Sequence, residues 1–563
     1  MPRGRRWIII DTVLLGVVGA LSAQVFMLML KAAQSLFLGG LAGYTPPGLP
    51  DEGGVLTQVI GTHGMWLIPL ATTLGGLISG VLVYSLAPEA EGHGTDTAVK
   101  AFHRAAGFIR TRVAPLKAVA SAITIGSGGA AGREGPTALI SAGVGSIYAT
   151  LGKRSDEDRR LLVLIGMAAG LAAIFRSPIG TAIFAIEVLY ADMEFEANAL
   201  LYTMLGSLVA YVVNGLFVGW QPLFRVPQGL TSPEFAGYAW YAVLGAASGV
   251  TATLLPVVFY GTRDIFHKMR IPPHIKPAIG GLGVGLLALA LPQVLGGGYG
   301  WIQEAIDGRL PLMILIALVF AKMLSFALTV SSGGSGGVFA PSLFVGAMVG
   351  GSLATLFHQP PAAFVIVGMA AVFGGAARVP IATLLMVTEM TGGYQLLVPA
   401  ALAVTLSYIV QTVLSSYVKY RSLYEAQIPS RAASPAHDMD NMCIALDLMC
   451  KPWASDPSTP LHLDLLDLLR SGVAVSLAGG KQLTIGILRK KSPWVGKPLR
   501  SSYLAERREE AEIVAILRHG QIVVPHRETV LEAEDRLLMI TSPQAQEWLK
   551  QHFAPLSSER GSA

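Results

Sequence analysis

The sequence predicts an all-α polytopic membrane domain followed by a small cytosolic α/β domain. Three observations carry that expectation. First, 52% of the 563 residues are apolar before glycine is counted, and only 14% are charged, against about 25% in soluble globular chains. Mean hydropathy is +0.55. Second, charge is unevenly placed: residues 431–563 carry 32 charged residues, whereas the first 430 carry 45. The tail has the composition of a soluble domain with no net charge, so the whole excess of +5 lies in the first part. Third, apolar runs of about 20 residues, the length that crosses a bilayer, recur between residues 8 and 417. This pattern excludes a disordered chain, a collagen and a small disulfide scaffold. The positive excess is too small and scattered for nucleic-acid binding.

Arg3, Arg5 and Arg6 precede an apolar run that starts at Trp7. They resemble the basic start of a signal peptide. The run continues to about Leu41 with only Asp11 and Lys31 charged, and no small-residue cleavage site follows. We read a retained first helix with its arginines on the cytoplasmic side. The expectation is a multi-pass protein of the cell membrane with both termini in the cytoplasm. Spanning runs lie near 8–37, 64–87, 197–218, 236–261, 276–293, 310–330 and 394–417. Shorter pieces broken by glycine and proline lie near 115–125, 136–151, 161–176, 178–190, 338–357, 363–375 and 380–391. Short broken segments at matching places in two halves point to a transport site.

The two halves do match. Arg176-Ser-Pro178-Ile-Gly-Thr181 leads to Glu187, and Arg378-Val-Pro380-Ile-Ala-Thr383 leads to Glu389. Each glutamate follows its proline by nine residues, and the offset between copies is 202. Gly166-Met-Ala-Ala169 recurs as Gly368-Met-Ala-Ala371 at the same offset. Gly128-Gly129, Gly132 and Pro136 recur as Gly333-Gly334, Gly337 and Pro341 at an offset of 205. The physical use of such a plan is electrostatic. A helix that starts inside the membrane leaves unpaired N–H groups at its positive end. Two repeats can bring several such ends to one point and hold an anion without a full positive charge. Glycine permits close backbone approach and proline fits the first helical turn. The loops ahead of Pro136 and Pro341 are therefore candidate ion-facing helix starts.

These motifs resemble the CLC chloride channel and transporter family. Gly132-Arg133-Glu134-Gly135-Pro136 is similar to its second signature and Gly337-Val338-Phe339-Ala340-Pro341 to its third. Lys117 stands where the family often has lysine, and Leu423-Tyr424, read at the end of the last membrane helix, resembles the segment with the pore tyrosine. The resemblance covers about residues 8–430 and implies two inverted repeats of broken helices, a homodimer and one anion pathway per subunit. It implies that Glu134 is a gate whose carboxylate occupies the anion path and leaves when protonated or displaced. It implies that the N–H groups of Val338 and Phe339 hold the central anion and that the Tyr424 hydroxyl donates to it. Gly132 and Arg133 belong to the same anion-binding segment. The competing readings are a salt bridge from Glu134 to Arg133 and an interfacial tyrosine at 424.

Two positions depart from the family. Its first signature has an anion-binding serine between glycines, whereas this chain reads Gly92-His93-Gly94. His93 either binds the anion, through N–H or as imidazolium, or is a loop histidine bonded to backbone. Proton-coupled members resemble one another in carrying two adjacent glutamates after the proline turn; here the pair is Glu187-Val188. Valine cannot carry a proton, as in the family's channels. Asp192, Glu194 and Glu196 are either another proton route or a solvated loop.

Residues 431–481 read as a linker with an amphipathic stretch, Leu461–Leu469. Cys443 and Cys450 within it match neither a zinc motif nor a disulfide framework. Strand-like runs follow at Leu483–Leu488, Ile513–Leu517, Ile522–Val524 and Leu537–Ile540, with a helix at Tyr503–Glu510 and a turn at His519-Gly520. Their order is similar to a TrkA-C domain, placed at 482–545 ahead of a tail at 546–563. That resemblance implies dimerisation and small-ligand binding, cyclic dinucleotides included. Leu477–Gln482 lacks the spacing of a P-loop. No metal or cofactor is expected, the anion being substrate and membrane lipid the surrounding partner. The expected function is a channel-like chloride or related anion pathway gated by Glu134, with proton-coupled antiport as the alternative. A membrane enzyme lacks every nucleophile or metalloprotease motif. A potassium channel would need more than Gly297-Gly298-Tyr299-Gly300, which lacks the Thr-Val start of a filter.

Overall fold

The computed structural model describes residues 7–49, 54–62, 64–227, 230 and 233–437, then 475–476, 482–489, 492–499, 511–518, 521–523, 525, 529–542 and 553–554. The chain forms two compact units, Met1–Ala436 and His437–Ala563.

The first unit is helical in two matching halves, with one short antiparallel strand pair, β1 (Tyr44–Thr45) and β2 (Val59–Ile60). The first half holds α1 (Ile8–Gln34), α2 (Ile68–Leu86), α3 (Thr95–Arg104), α4 (Val113–Gly126), α5 (Glu134–Leu151), α6 (Asp156–Phe175), α7 (Pro178–Glu187) and α8 (Leu200–Val218). The second holds α9 (Tyr238–Lys268), α10 (Lys276–Ala290), α11 (Tyr299–Ile306), α12 (Leu312–Ser331), α13 (Phe339–Leu356), α14 (Pro361–Ala377), α15 (Pro380–Thr391) and α16 (Leu397–Ser415). Among the described residues eight helices are long and apolar enough to cross a membrane. Seven coincide with the long apolar runs, and the eighth is α13, which the sequence places among the shorter pieces. Two helices go unpredicted. α3 carries Asp96, Lys100 and Arg104, which hide it from a search for apolar runs, and α11 has only eight residues.

The repeat is visible in the helix ends. α5 and α13 start and stop 205 residues apart, and α6 and α14 end 202 apart. Arg176 and Arg378 close those last two helices in the left-handed region, with φ of 53° and 56°. The proline two residues on then opens α7 or α15 at its first position, where no N–H bond is lost. The helices pack through small residues. A Cβ on Gly346 of α13 would overlap the carbonyl of Gly368 of α14, and the reverse holds for Gly368. Such contacts replace the hydrophobic drive that lipid does not supply.

The second unit is an antiparallel sheet. β3 (Val475–Ser476), β4 (Gln482–Leu488), β5 (Ala511–Arg518), β6 (Gln521–Val523), β7 (Arg536–Thr541) and β8 (Phe553–Ala554) run in the order β3-β4-β7-β5-β6, with β8 also on β4. The sheet starts inside the stretch that the sequence reads as linker, because β3 pairs with β4 across a short connection. Leu488, Ile516, Leu531, Leu537 and Met539 form its core with Trp494, whose ring lies 5.5 Å from that of Phe553. Cys443, Cys450, Leu461–Leu469, Tyr503–Glu510 and His519-Gly520 lie outside the described residues.

Arg518 ties this unit together. Its Nε and Nη2 each donate to the Asp535 carboxylate at 2.8 Å, and Asp535 also accepts the Glu532 N–H at 2.8 Å. The buried carboxylate raises the guanidinium pKa above its usual value. Asp535→Ala removes three charge-assisted bonds and leaves the arginine unpaired at its inner face. We expect a loss of about 2 kcal/mol in that unit. Amide hydrogen exchange of β5 and β7 in the full chain measures it, and unchanged protection would contradict it.

Candidate functional site

The site is built where the two halves touch. Gly132 and Gly337 exchange backbone hydrogen bonds: the Gly132 N–H donates to Gly337 at 2.7 Å and the Gly337 N–H to Gly132 at 2.6 Å. A reciprocal contact of equivalent residues is the mark of a two-fold relation. It places the start of α5 beside the start of α13. Arg133 caps α5 and Val338 caps α13, and Glu134 and Phe339 are the first residues of these helices. Both expected ion-facing helix starts are therefore adjacent, with Val338 and Phe339 buried. The Phe339 ring packs on Phe373, Phe175 and Phe184, at 4.1, 4.4 and 6.1 Å.

Glu134 lies in this junction, only 1% exposed. A Cβ on Gly132 would collide with its Oε2 and lie 3.0 Å from the Ala340 nitrogen. The carboxylate thus reaches the positive end of α13 as well as its own helix, which is favourable ground for a negative group. Oε1 accepts from the Tyr299 hydroxyl at 2.5 Å. Oε2 is buried without a hydrogen bond among the described residues. Arg133 Nε stands 3.7 Å from Oε1, too far for a hydrogen bond. The guanidinium instead lies 4.8 Å over the Tyr299 ring. The expected rival, a salt bridge to Arg133, is present as an ion pair at 3.7 Å and stands beside the Tyr299 bond.

Tyr299 escaped the sequence. It opens α11 after Gly298, which has φ of +82°. The signal was present: Gly94-Thr95 opens α3 in the same way, 204 residues earlier. Lys322 was missed similarly. Lys117 Nζ donates to the carbonyls of Ala90 and Gly92 at 3.0 and 2.6 Å. Lys322, 205 residues on, donates to those of Val294 and Gly296 at 2.8 and 2.7 Å. Each buried ammonium holds the loop that launches α3 or α11.

His93 is 6% exposed and its Nε2 lies 3.1 Å from the Asp96 carboxylate. The expected alternative of a backbone-bonded loop histidine does not hold, since its partner is a side chain. Nδ1 is buried with no hydrogen bond among the described residues. The ring stands 5.4 Å from the Tyr424 ring and 6.3 Å from Phe259. Tyr424 does not end a helix. α16 stops at Ser415, and the chain turns back so that Leu423 donates to Ala376 and accepts from the Tyr260 hydroxyl at 2.7 Å. Tyr424 is buried, which removes the reading of an interfacial tyrosine.

Glu187 and Glu389 serve each other's repeats. Glu187 accepts the N–H groups of Ile381 and Ala382 at 3.2 and 2.7 Å, at the start of α15. Glu389 accepts those of Ile179 and Gly180 at 3.2 and 2.8 Å, at the start of α7, and the Ser177 hydroxyl at 2.5 Å. Val188 is buried at the end of α7. Glu194 accepts the Arg431 N–H, and Glu196 takes the Tyr190 hydroxyl at 3.0 Å and pairs with Arg431 at 3.3 Å. These two carboxylates fasten a loop to the end of the membrane unit. Among the described residues no group of three or more metal-ligating side chains occurs.

A family model described as voltage gated chloride channel matches residues 75–412. The chain belongs to the CLC family. The H(+)/Cl(-) exchange transporter ClcA of Salmonella agona is 31% identical over 389 residues, covering 66% of this chain and 80% of that protein. ClcA of Citrobacter koseri gives the same figures. A slow cyanobacterial Cl-/H+ antiporter shares the fold at a TM-score of 0.63 and 21% identity, over 72% of this chain and 94% of the other. A CLC-type fluoride/proton antiporter does so at 0.63 and 21%, over 75% and 98%. The CLC assignment makes this chain a multi-pass membrane protein of anion transport. A TrkA-C model matches residues 487–553, so the second unit contains a TrkA-C domain, which runs on past 545 into the stretch read as a tail.

Proposed function

We propose that this CLC chain exchanges chloride for protons, with Glu134 as the shared gate. The observation that carries the reading is the buried Glu134 carboxylate at the paired starts of α5 and α13. A carboxylate there occupies the ground an anion would take, so one negative group excludes the other. Protonation removes its charge and its hold on the helix ends, and the anion then meets the N–H groups of Val338 and Phe339. The Tyr424 hydroxyl and His93 border the same path, with Gly132 and Arg133 on the gate side. ClcA relatives named as H(+)/Cl(-) exchangers support coupling. A passive channel is the second reading, favoured by Val188 in place of a proton-carrying glutamate. The reversal potential of the purified protein in a bilayer separates them. Exchange predicts that it shifts with a pH gradient at fixed chloride. A potential that follows chloride alone would leave the channel. We further propose that the chain works as a homodimer with both termini in the cytoplasm, and that the TrkA-C domain binds a regulatory small ligand.

A further inference from the structure

Coupled exchange requires a proton to reach Glu134 from the side opposite its release, and Val188 cannot supply it. Glu194 and Glu196 are committed to Arg431 and Tyr190, and Asp192 is exposed at the surface of the same loop. The side chain that meets the requirement is His93. We propose that His93 is the proton carrier of this chain, its Nδ1 passing protons between solvent and Glu134 while Asp96 positions the ring from Nε2. The proposal rests on the exchange reading above.

Four observations support it. The imidazole is more than nine-tenths buried, yet it lines a cavity of about 340 Å³ with Glu91, Asp96, Arg263 and His267. Asp96 engages Nε2, so the neutral ring that donates Nε2–H keeps its Nδ1 lone pair for a proton. That Nδ1 has no partner within the described protein, unlike a structural histidine such as His103, whose ring nitrogens meet the Ser434 hydroxyl at 2.7 Å and the Leu189 carbonyl at 3.0 Å. Finally, the His93 carbonyl lies so close to Gly135 that a Cβ there would overlap it, which puts the histidine one residue from the gate. The gate is thus a neighbour in space through the loop that Lys117 holds.

The step is a transfer of one proton. The ring takes it from water in the cavity, the imidazolium is balanced by Asp96, and Nδ1 yields a proton along the anion path to the Glu134 carboxylate. Only N–H and O–H bonds form and break. The charged and titratable groups around the ring are Asp96 on α3, Glu89 and Glu91 in the preceding segment, Lys117 on α4, Tyr260, Arg263 and His267 on α9, and Tyr424 beyond α16. Asp96 is the one of these in contact with a ring nitrogen. It is a positioning residue, and His93 is the carrier.

The test uses the full chain in proteoliposomes, with proton and chloride movement recorded together. His93→Gln keeps a donor toward Asp96 but carries no proton. The number of protons moved per chloride should fall at least about tenfold. Asp96→Asn should lower the same ratio less and shift its pH profile, which a purely structural role would not do. His93→Ser is the second variant should the glutamine chain not fold, and it should lose the ratio likewise. A wild-type ratio in His93→Gln or His93→Ser, with proton movement absent in Glu134→Gln, would overturn the carrier and leave exchange standing. No uphill proton movement in the wild type would remove the exchange reading itself, and the carrier with it.

Discussion

Glu134→Gln should abolish proton movement and make chloride flux independent of pH. The amide has the shape of the protonated acid but no charge to hold at the starts of α5 and α13. It cannot be driven into the path by those helix ends as a carboxylate is. In the wild type, flux should rise as pH falls, because protonation releases the gate. In the variant, flux between about pH 4.5 and 7 should stay within about twofold, since the gate no longer carries a carboxyl group to titrate. Chloride efflux from proteoliposomes at stepped pH measures both. A pH profile in Glu134→Gln that matches the wild type would place the gate elsewhere. Tyr299→Phe belongs to the same test at smaller scale. Loss of the 2.5 Å bond to Oε1 should loosen the charged gate and raise flux at neutral pH.

Glu187→Ala should cause the largest loss of stability in the membrane unit. The side chain is fully buried and satisfies two N–H groups at the start of α15. Removing it leaves two buried donors without an acceptor and α15 without a negative group at its positive end. The expected cost is about 3–5 kcal/mol. Glu187→Gln retains one acceptor oxygen and should lose about half as much. The unfolding midpoint in detergent, followed by tryptophan fluorescence, ranks them as wild type, Gln, Ala. Equal midpoints would contradict the assigned role. Glu389→Ala should be milder, because that carboxylate is only partly buried, whereas Glu187 is fully enclosed. Since α7 carries Phe184 against Phe339, any slippage of the α7–α15 pair should also distort the anion path.

Much of the fold was legible in the residues, and what escaped has physical causes. Long apolar runs mark spanning helices because lipid demands them, and the spacing from Pro178 to Glu187 and from Pro380 to Glu389 exposes the duplication. Gly132 and Gly337 are visible as equivalents, and their equivalence already suggests two helix starts at one place. What a repeat read along the chain does not reveal is which copy touches which. Glu187 and Glu389 therefore look like parallel features of separate halves, whereas each caps the other half. α3 and α11 escaped because both are short and α3 carries charged residues, so neither length nor hydropathy marks them. Tyr299 escaped with α11, although it supplies the gate with its bond. His93 was visible as a departure from the family, but its pairing with Asp96 one helical turn on follows only from the turn of the Gly94 backbone, at φ of +86°. Tyr424 was found by resemblance and misplaced by one element, because the return of the chain after α16 has no periodic signature.

The central claim is that one buried carboxylate couples the anion to the proton. Its most direct test is the wild-type protein in sealed liposomes with an outward chloride gradient and no initial pH gradient. Exchange predicts that chloride leaving the vesicles drives protons inward, against the pH difference that then builds. Protons that remain at equilibrium with the membrane potential while chloride flows would contradict it.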